Sequence, residues 1–443
     1  MKWEKYLVIS AILLSLIAGL YTQYKTDFKP SVNDEKYNVI LIAVNNMRAD
    51  HLGVYGYWRN TSQNIDSFAE NAIIFENAIA QTPVTLSSTV SLISSLYANS
   101  HGVTNRTNGL NDSTLTLQKI LKDNGYLTAS FITQATNFKY FTGDMDILTT
   151  THLVKEQLGI EELAFVKSLE WLKNNNREPF FLVLSTFFLH FPYVVPEPFY
   201  KKFDSNYTGD IIGSDEEFLK EFYKGYENDT QTDIFAQSEK FQKSQINESD
   251  YRDISHLIAL YDSEINYIDN ELKLIFNELS NLNITDRTII VFLSVDGIGL
   301  YEHGGYSPTQ LYDENIRVPL VIKHPKISPK KINSQVQLID VAPTILDFLN
   351  IPIPEQFQGK TLLPLIKSVA PKNFNQYVFS ESFYNTAYIR IIRTLEWKLL
   401  VHANKELYNL IDDPKEKNNL INEYPKIARE LETKLLEFSL STK

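Results

Sequence analysis

Runs of uninterrupted aliphatic residues alternate with helical spacings along most of this chain. Tyr37 to Val44 (YNVILIAV), Phe180 to Thr186 and Thr288 to Val295 are continuous β-branched and aliphatic stretches. Such runs predict parallel strands covered on both faces, because a half-exposed strand would alternate apolar and polar positions. Between them, Ser113 to Asn124 and Leu257 to Leu282 have helical period. The longer one places Leu257, Leu260, Tyr261, Ile265, Ile268, Leu272, Ile275 and Leu279 on one stripe. Strands alternating with helices predict an α/β fold with a mostly parallel central sheet flanked by helices.

The pattern changes in three places. Residues 203–251 are rich in Asn, Asp, Glu, Lys and Gln with no sustained period, which predicts a polar excursion over the sheet. After Pro364 come short strand-like pieces, Tyr377 to Ser380, Tyr388 to Ile392 and Trp397 to Val401, then a helical stretch from Tyr424 to Phe438. These predict a small C-terminal antiparallel sheet with one helix. At the other end, Tyr6 to Tyr21 is apolar and uncharged, flanked by Lys2, Lys5 and Lys25. It reads as one N-terminal transmembrane helix that anchors the chain, with the lysines before it inside and the rest of the chain extracytoplasmic. A cleaved signal peptide is the alternative, but no clean small-residue cleavage site follows the run. The expected organisation is an anchor over 1–24, a tether over 25–36, an α/β domain over 37–364 and a C-terminal subdomain over 365–443.

Composition adds exclusions. In a chain of 443 residues, 43% are hydrophobic and 22% charged, which fits a globular protein with a sizeable core. The formal net charge of -12, with no basic run longer than Lys330-Lys331, disfavours a nucleic-acid surface. The absence of cysteine excludes disulfides, thiolate-bound zinc and a thiol nucleophile. Seven N-x-[ST] sequons, at Asn60, Asn105, Asn111, Asn206, Asn228, Asn247 and Asn283, are compatible with an extracytoplasmic domain.

Several motifs carry more specific information. The first strand ends in Asn45 to Tyr57 (NNMRADHLGVYGY), followed by Asn64-Ile65-Asp66 and Phe75-Glu76-Asn77-Ala78. Thr82 to Tyr97, Gly125-Tyr126-Leu127-Thr128, Tyr261 to Leu272, Ser294 to Gly304, Asn315 to Leu320, Asp340 to Leu346 and Glu406 to Asn419 follow in order. Their order and spacing from about Tyr37 to the C-terminus resemble the sulfatase family of the alkaline phosphatase superfamily.

That resemblance implies a divalent cation, Ca²⁺ or a related hard ion, at the carboxyl ends of the parallel strands. Its ligands would come from two aspartates after the first strand, where this chain has Asn45 and Asn46, and from a pair after a later strand, where it has Val295 and Asp296. Sliding the alignment by one residue places Asp296 first and Gly297 beside it. Either way one carboxylate stands where three are usual. Calcium affinity follows the number of charged ligands. Each lost charge removes several kcal/mol, since two unit charges at ~4 Å attract by roughly 4 kcal/mol at an effective dielectric of about 20.

The resemblance places Thr85, in Thr85-Leu86-Ser87-Ser88-Thr89, where sulfatases carry the Cys or Ser that becomes formylglycine. Threonine is not a precursor of formylglycine, so that chemistry is excluded. Phosphoryl-transferring relatives use an unmodified threonine activated by metal, which keeps Thr85 as a candidate nucleophile. The family's Gly-Lys-x-His reads Ile132-Thr133-Gln134-Ala135, and its later basic residue is missing from Ser307-Pro308-Thr309-Gln310. His190 matches the histidine that serves the leaving group. Arg48 and His303 are candidate binding residues.

Plainer readings exist for the same positions. Thr85 also fits a helix cap, Asp340 the N-cap of the next helix, and Asn45 and Asn46 a turn closed by side-chain hydrogen bonds. Glu302 and His303 fit a fixed loop, and His190 a packed one. With metal, nucleophile and anion-binding positions substituted together, the expected protein is a membrane-anchored pseudoenzyme of sulfatase fold with a binding or structural role. A divergent metal-dependent hydrolase or transferase of sulfuric or phosphoric esters, using Thr85, is the alternative. A component of an envelope assembly is a third reading. No cofactor is expected unless the chain is active, in which case it is Ca²⁺ or another divalent cation. The partners implied are the membrane, a glycan, a sulfated or phosphorylated ligand, or a protein.

Overall fold

A computed structural model of the chain describes residues 36–104, 109–134, 144–152, 160–186, 189–191, 193, 198–209, 251–304, 310–384 and 387–442. The expected membrane segment, most of the polar excursion and positions 307–309 lie outside the described residues. Among the described residues no helix is long and apolar enough to cross a membrane.

The first three apolar runs form β1 (Asn38–Val44), β5 (Phe180–Thr186) and β6 (Thr288–Ser294). Every residue of each is buried. β1 lies between β5 and β6, parallel to both. Outward from β5 come β3 (Leu127–Gln134) and β4 (Ile147–His152), also parallel. Beyond β6 the sheet turns antiparallel through β8 (Leu320–Lys323), β2 (Ile73–Ile79) and the two-residue β7 (Arg317–Val318). β9 (Lys330–Gln337) runs parallel to β2 and completes nine strands. The sheet is therefore mostly parallel, as expected.

Alternation along β1 sorts the two helix layers. Val39, Leu41 and Ala43 point to one apolar cluster, which includes Val90, Leu92 and Ile93 of α2 (Thr85–Ser94), Leu117 of α3 (Leu117–Asp123) and Ile345 of α6 (Val341–Phe348). Ile40, Ile42 and Val44 point to the other, with Ile65 of α1 (Gln63–Ala69), Phe165 of α4 (Ile160–Asn174), and Leu260, Ile265 and Leu272 of α5 (Tyr251–Asn281). Residues 37–443 form one compact unit.

The C-terminal strands β10 (Val378–Tyr384), β11 (Ala387–Arg393), β12 (Trp397–Val401) and β13 (Glu406–Asn409) form an antiparallel sheet in that order. The stripe Ala428, Leu431 and Leu435 of α7 (Pro425–Ser441) packs on Ile392, Leu399 and Leu407. The sheet meets the larger one where Glu381 N–H donates to the Gln81 carbonyl at 2.9 Å.

One expectation needs correction. Asp340 precedes α6 but does not cap it with its side chain. Its carboxylate instead accepts from the N–H groups of Gln337 (2.9 Å) and Lys360 (2.8 Å) and from Asn375 Nδ2 (2.7 Å). It ties three separate segments together.

Candidate active site

Val44 of β1 lies in register with Thr186 of β5 on one side and Ser294 of β6 on the other. Asn45, Asn46, Val295 and Asp296 therefore leave the sheet together at its carboxyl edge, where open α/β sheets place ligands. Gly297 is required just beyond, because a Cβ there would meet the Glu314 carbonyl oxygen at 2.1 Å. Asn46 adopts the left-handed conformation (φ 55°), which asparagine tolerates better than most residues. Its N–H donates to Asp296 Oδ1 at 2.8 Å, and its carbonyl accepts from the Tyr261 hydroxyl at 2.7 Å. The asparagine side chains do not close this turn, contrary to the plainer expectation. Asn45 Oδ1 and Asn46 Nδ2 are buried with no hydrogen-bond partner among the described residues.

Thr85 is the first helical residue of α2. The capping position belongs to Val84, and no side chain caps the helix. The Thr85 hydroxyl donates to Asp296 Oδ2 at 2.5 Å instead, which corrects the cap reading. Val295 belongs to the apolar core, with its N–H bonded to the Val44 carbonyl at 2.9 Å and its own carbonyl accepting from the Ser88 hydroxyl. Asp296 is thus the residue that presents a carboxylate. Burial pushes its carboxyl up to about 7, against the opposing pull of the bonds from Thr85 and Asn46.

The donor set does not fit a tightly held dication. Each Asp296 oxygen accepts one hydrogen bond from within the chain, which leaves each one further lone pair. The remaining candidate oxygens are neutral: the amides of Asn45 and Asn46 and the Thr85 hydroxyl. Asn45 Oδ1 is buried with no donor among the described residues. One negative charge would face two positive ones, where calcium sites gain affinity from several carboxylates. Among the described residues no three His, Cys, Asp or Glu side chains are grouped to hold a metal ion.

Arg48 is linked to the centre, its N–H donating to the Tyr261 hydroxyl at 2.9 Å, which in turn donates to the Asn46 carbonyl. Arg48 is buried, and its guanidinium binds Asp50 through two bonds of 3.0 and 2.8 Å and also binds Glu302. Against the effect of burial, Arg48 holds the carboxyls of Asp50 and Glu302 below their usual range. His303 stacks on Tyr312, with ring centroids 3.6 Å apart, and places Nδ1 2.5 Å from Glu314 Oε1 and Nε2 3.0 Å from the Glu416 carbonyl. Burial lowers its pKa, but Glu314 outweighs this and raises it. His190 is buried, with Nδ1 2.9 Å from the Phe191 carbonyl. The side chain of Thr133 lies outside the described residues.

Two buried polar centres escaped the sequence reading. Asp262, on α5 and fully buried, binds His51 Nδ1 (2.7 Å), the Tyr57 hydroxyl (2.6 Å) and Arg59 Nη1 (2.7 Å). Lys398, also fully buried, binds Asp313 (2.9 Å) and Glu416 (2.8 Å). An acid directly beside the apolar stripe of a long helix is the one signal that pointed to Asp262. Lys398 lies in a strand-like run and gave none.

Family comparisons extend this geometry. The sulfatase family model matches residues 37–351, and the model for the C-terminal part of N-sulphoglucosamine sulphohydrolase matches residues 301–441. Arylsulfatase K of Bos taurus is 22% identical over 415 residues, covering 82% of this chain and 74% of that protein. The ulvan-active sulfatase of Formosa agariphila is 24% identical over 456 residues, covering 97% and 85%. Among solved structures, the phosphonate monoester hydrolase of Silicibacter pomeroyi superposes with a TM-score of 0.77 at 17% identity, covering 92% of this chain and 96% of that one. A protein solved with its substrate D-glucosamine-2-N,6-O-disulfate gives 0.74 at 19%, covering 92% and 98%. With a family model matched over most of its length and these relatives aligned along it, the chain belongs to the sulfatase family.

Proposed function

We propose that this chain is a membrane-anchored sulfatase-family protein that binds a ligand without hydrolysing sulfate esters. The carrying observation is Asp296, a buried carboxylate whose two oxygens are engaged by Asn46 and Thr85 within the chain. Where the family chemistry calls for a cation and an activated nucleophile, this centre offers one such carboxylate, two neutral amides and a hydroxyl. The apolar segment 6–21 and its flanking lysines support anchoring with the domain outside. A sulfated sugar is supported as ligand class by the neighbour solved with D-glucosamine-2-N,6-O-disulfate. A phosphorylated ligand or a protein partner are the other occupants of this reading.

The 2.5 Å bond from Thr85 to Asp296 favours a second reading. In it Asp296 accepts the hydroxyl proton while Thr85 Oγ1 attacks the sulfur or phosphorus of an ester, the bond to the alcohol oxygen breaks and the alcohol leaves with that proton, and water then hydrolyses the ester left on Thr85. The two readings separate on turnover. Purified full-length chain is assayed on an aryl sulfate and a phosphate diester, with and without added Ca²⁺, Mn²⁺ or Zn²⁺. The binding reading expects no turnover above that of a Thr85→Ala variant. Turnover that Thr85→Ala abolishes would establish the second reading.

A further inference from the structure

We propose that His303 is a pH-sensitive latch that fastens a turn of the C-terminal subdomain, residues 410–419, to the loop 295–304 that carries Asp296. Its ring sits between two acceptors. Nδ1 lies 2.5 Å from Glu314 Oε1, and Nε2 lies 3.0 Å from the Glu416 carbonyl oxygen. Because a carbonyl and an ionised carboxylate can only accept, the arrangement fits a ring with an N–H on each nitrogen, the imidazolium. Little water reaches the pair, since the His303 and Glu314 side chains are 10% and 8% exposed.

The latch joins segments that are far apart in the sequence. The near end of loop 295–304 is fixed where Gly297 N–H donates to the Asn315 carbonyl at 2.8 Å. His303 fixes its far end. The same turn grips the loop a second time, because Lys417 Nζ donates to the Glu302 carbonyl. Glu416 itself is left-handed (φ 53°), a conformation uncommon outside glycine, and its carboxylate is engaged by the Asp313 N–H at 2.6 Å and by Lys398 at 2.8 Å. Its carbonyl is what meets the ring. The turn also supplies Pro414 and Lys415 to the wall of a cavity of about 710 Å³ that Arg48 and Glu302 line. Opening the latch therefore loosens one wall of that cavity.

A neutral ring has one N–H for two acceptors. With that proton kept on Nδ1 toward the charged Glu314, the Nε2 lone pair faces a lone pair of the Glu416 carbonyl, and the contact repels where it held. The surrounding groups set when this happens. Burial favours the neutral ring and Lys417 acts with it, but Glu314 outweighs both and raises the pKa of His303 above its ordinary 6.5. Glu302 is paired with Arg48. Tyr312 stacks on the ring while its hydroxyl donates to Glu406 at 2.9 Å. The Glu416 carboxyl, itself raised by burial, faces Lys398 and Asp313 rather than the ring. Since the folded pKa of His303 exceeds the unfolded one, the latch is complete below 6.5 and is lost as pH rises through the folded value.

Amide hydrogen exchange on the full-length chain in detergent, from about pH 5.5 to about pH 9 and corrected for the chemical dependence of exchange on pH, reads the latch directly. The N–H groups of Asp413, Glu416 and Asn418 bond to the Asn409 carbonyl, the Asp413 carbonyl and the Asp413 carboxylate. Their protection should fall about tenfold or more as His303 loses its proton, while that of β12 holds. His303→Gln has no titrating ring and should remove the pH dependence. Glu314→Gln should move the step to lower pH. Glu416→Gln keeps the carbonyl and should keep the step. A flat profile in wild type, a step that survives His303→Gln, or one that disappears in Glu416→Gln would overturn the proposal. If His303→Gln does not fold, Glu314→Gln decides: a step at lower pH supports the latch, and a step at the wild-type pH overturns it.

Discussion

Asp296 and Asp313 are both carboxylates taken largely out of water, and their acidities move in opposite directions. Asp296 is pushed up to about 7 by burial, with only hydrogen bonds from Thr85 and Asn46 to oppose it. Asp313 feels the same effect of burial, but Arg393 and Lys398 override it and hold its carboxyl well below the usual range. The difference is an internal cation. At the Asn45–Asp296 centre no cation of the chain acts on Asp296 among the described residues. In the network of Arg48, Glu302, Lys398, Asp313 and Glu416 each charge has a partner inside the chain.

The largest expected effect comes from breaking the internally paired region. Lys398→Met leaves Glu416 and part of Asp313 buried without their cation, and the loss of stability should be about 3–5 kcal/mol in urea unfolding. A loss under about 1 kcal/mol would mean that the network does not hold the C-terminal sheet in place.

The reaction centre should respond with the opposite sign. The folded-state pKa of Asp296, about 7, exceeds its unfolded value of 3.8. Between those values the folded chain binds more protons, so this group's contribution is fully present below the unfolded pKa and is lost as pH rises through about 7. Asp296→Asn keeps an acceptor for Asn46 N–H and supplies a donor to Thr85. It should be more stable than wild type by a few kcal/mol above about pH 8, with the difference vanishing near the unfolded pKa. Denaturant unfolding of both proteins across that range checks it, and equal stability at every pH would show that Asp296 is compensated by a group or ion not identified at the centre.

A smaller change tests the Thr85 contact alone. Thr85→Val preserves shape and removes one hydrogen bond, with an expected cost of about 1 kcal/mol. If Thr85 were held only as a helix cap, Thr85→Ser would be neutral and Thr85→Val would fail to alter the pH dependence that Asp296 confers. Comparing the two variants separates these roles.

The sequence exposed the parts of the fold in which pattern and burial agree. β1, β5 and β6 are apolar throughout because both faces are covered, and α5 carries a sustained stripe that survived as a 31-residue helix. β9, Lys-Lys-Ile-Asn-Ser-Gln-Val-Gln, was not legible, because it is polar at one end and its position follows from pairing with β2 rather than from local pattern. β13, Glu-Leu-Tyr-Asn, is too short to stand out from a family motif. At the site, Asn45, Asn46, Thr85 and Asp296 were found through motif order, and the structure brings all four to one edge. Their hydrogen bonds were not legible. Local spacing made Thr85 and Asp340 into caps, whereas contacts more than 200 positions away for Thr85, and 20 and 35 positions away for Asp340, occupy their side chains.

The proposed binding function requires that the Asn45–Asp296 centre hold no dication. The most direct measurement is the metal content of the purified full-length chain together with its melting temperature as Ca²⁺ is added. The account predicts only trace Ca²⁺, Mn²⁺ and Zn²⁺ and a melting temperature that calcium does not move. About one equivalent of bound metal, with stabilisation approaching 2.7 kcal/mol at a hundredfold excess over the dissociation constant, would contradict it.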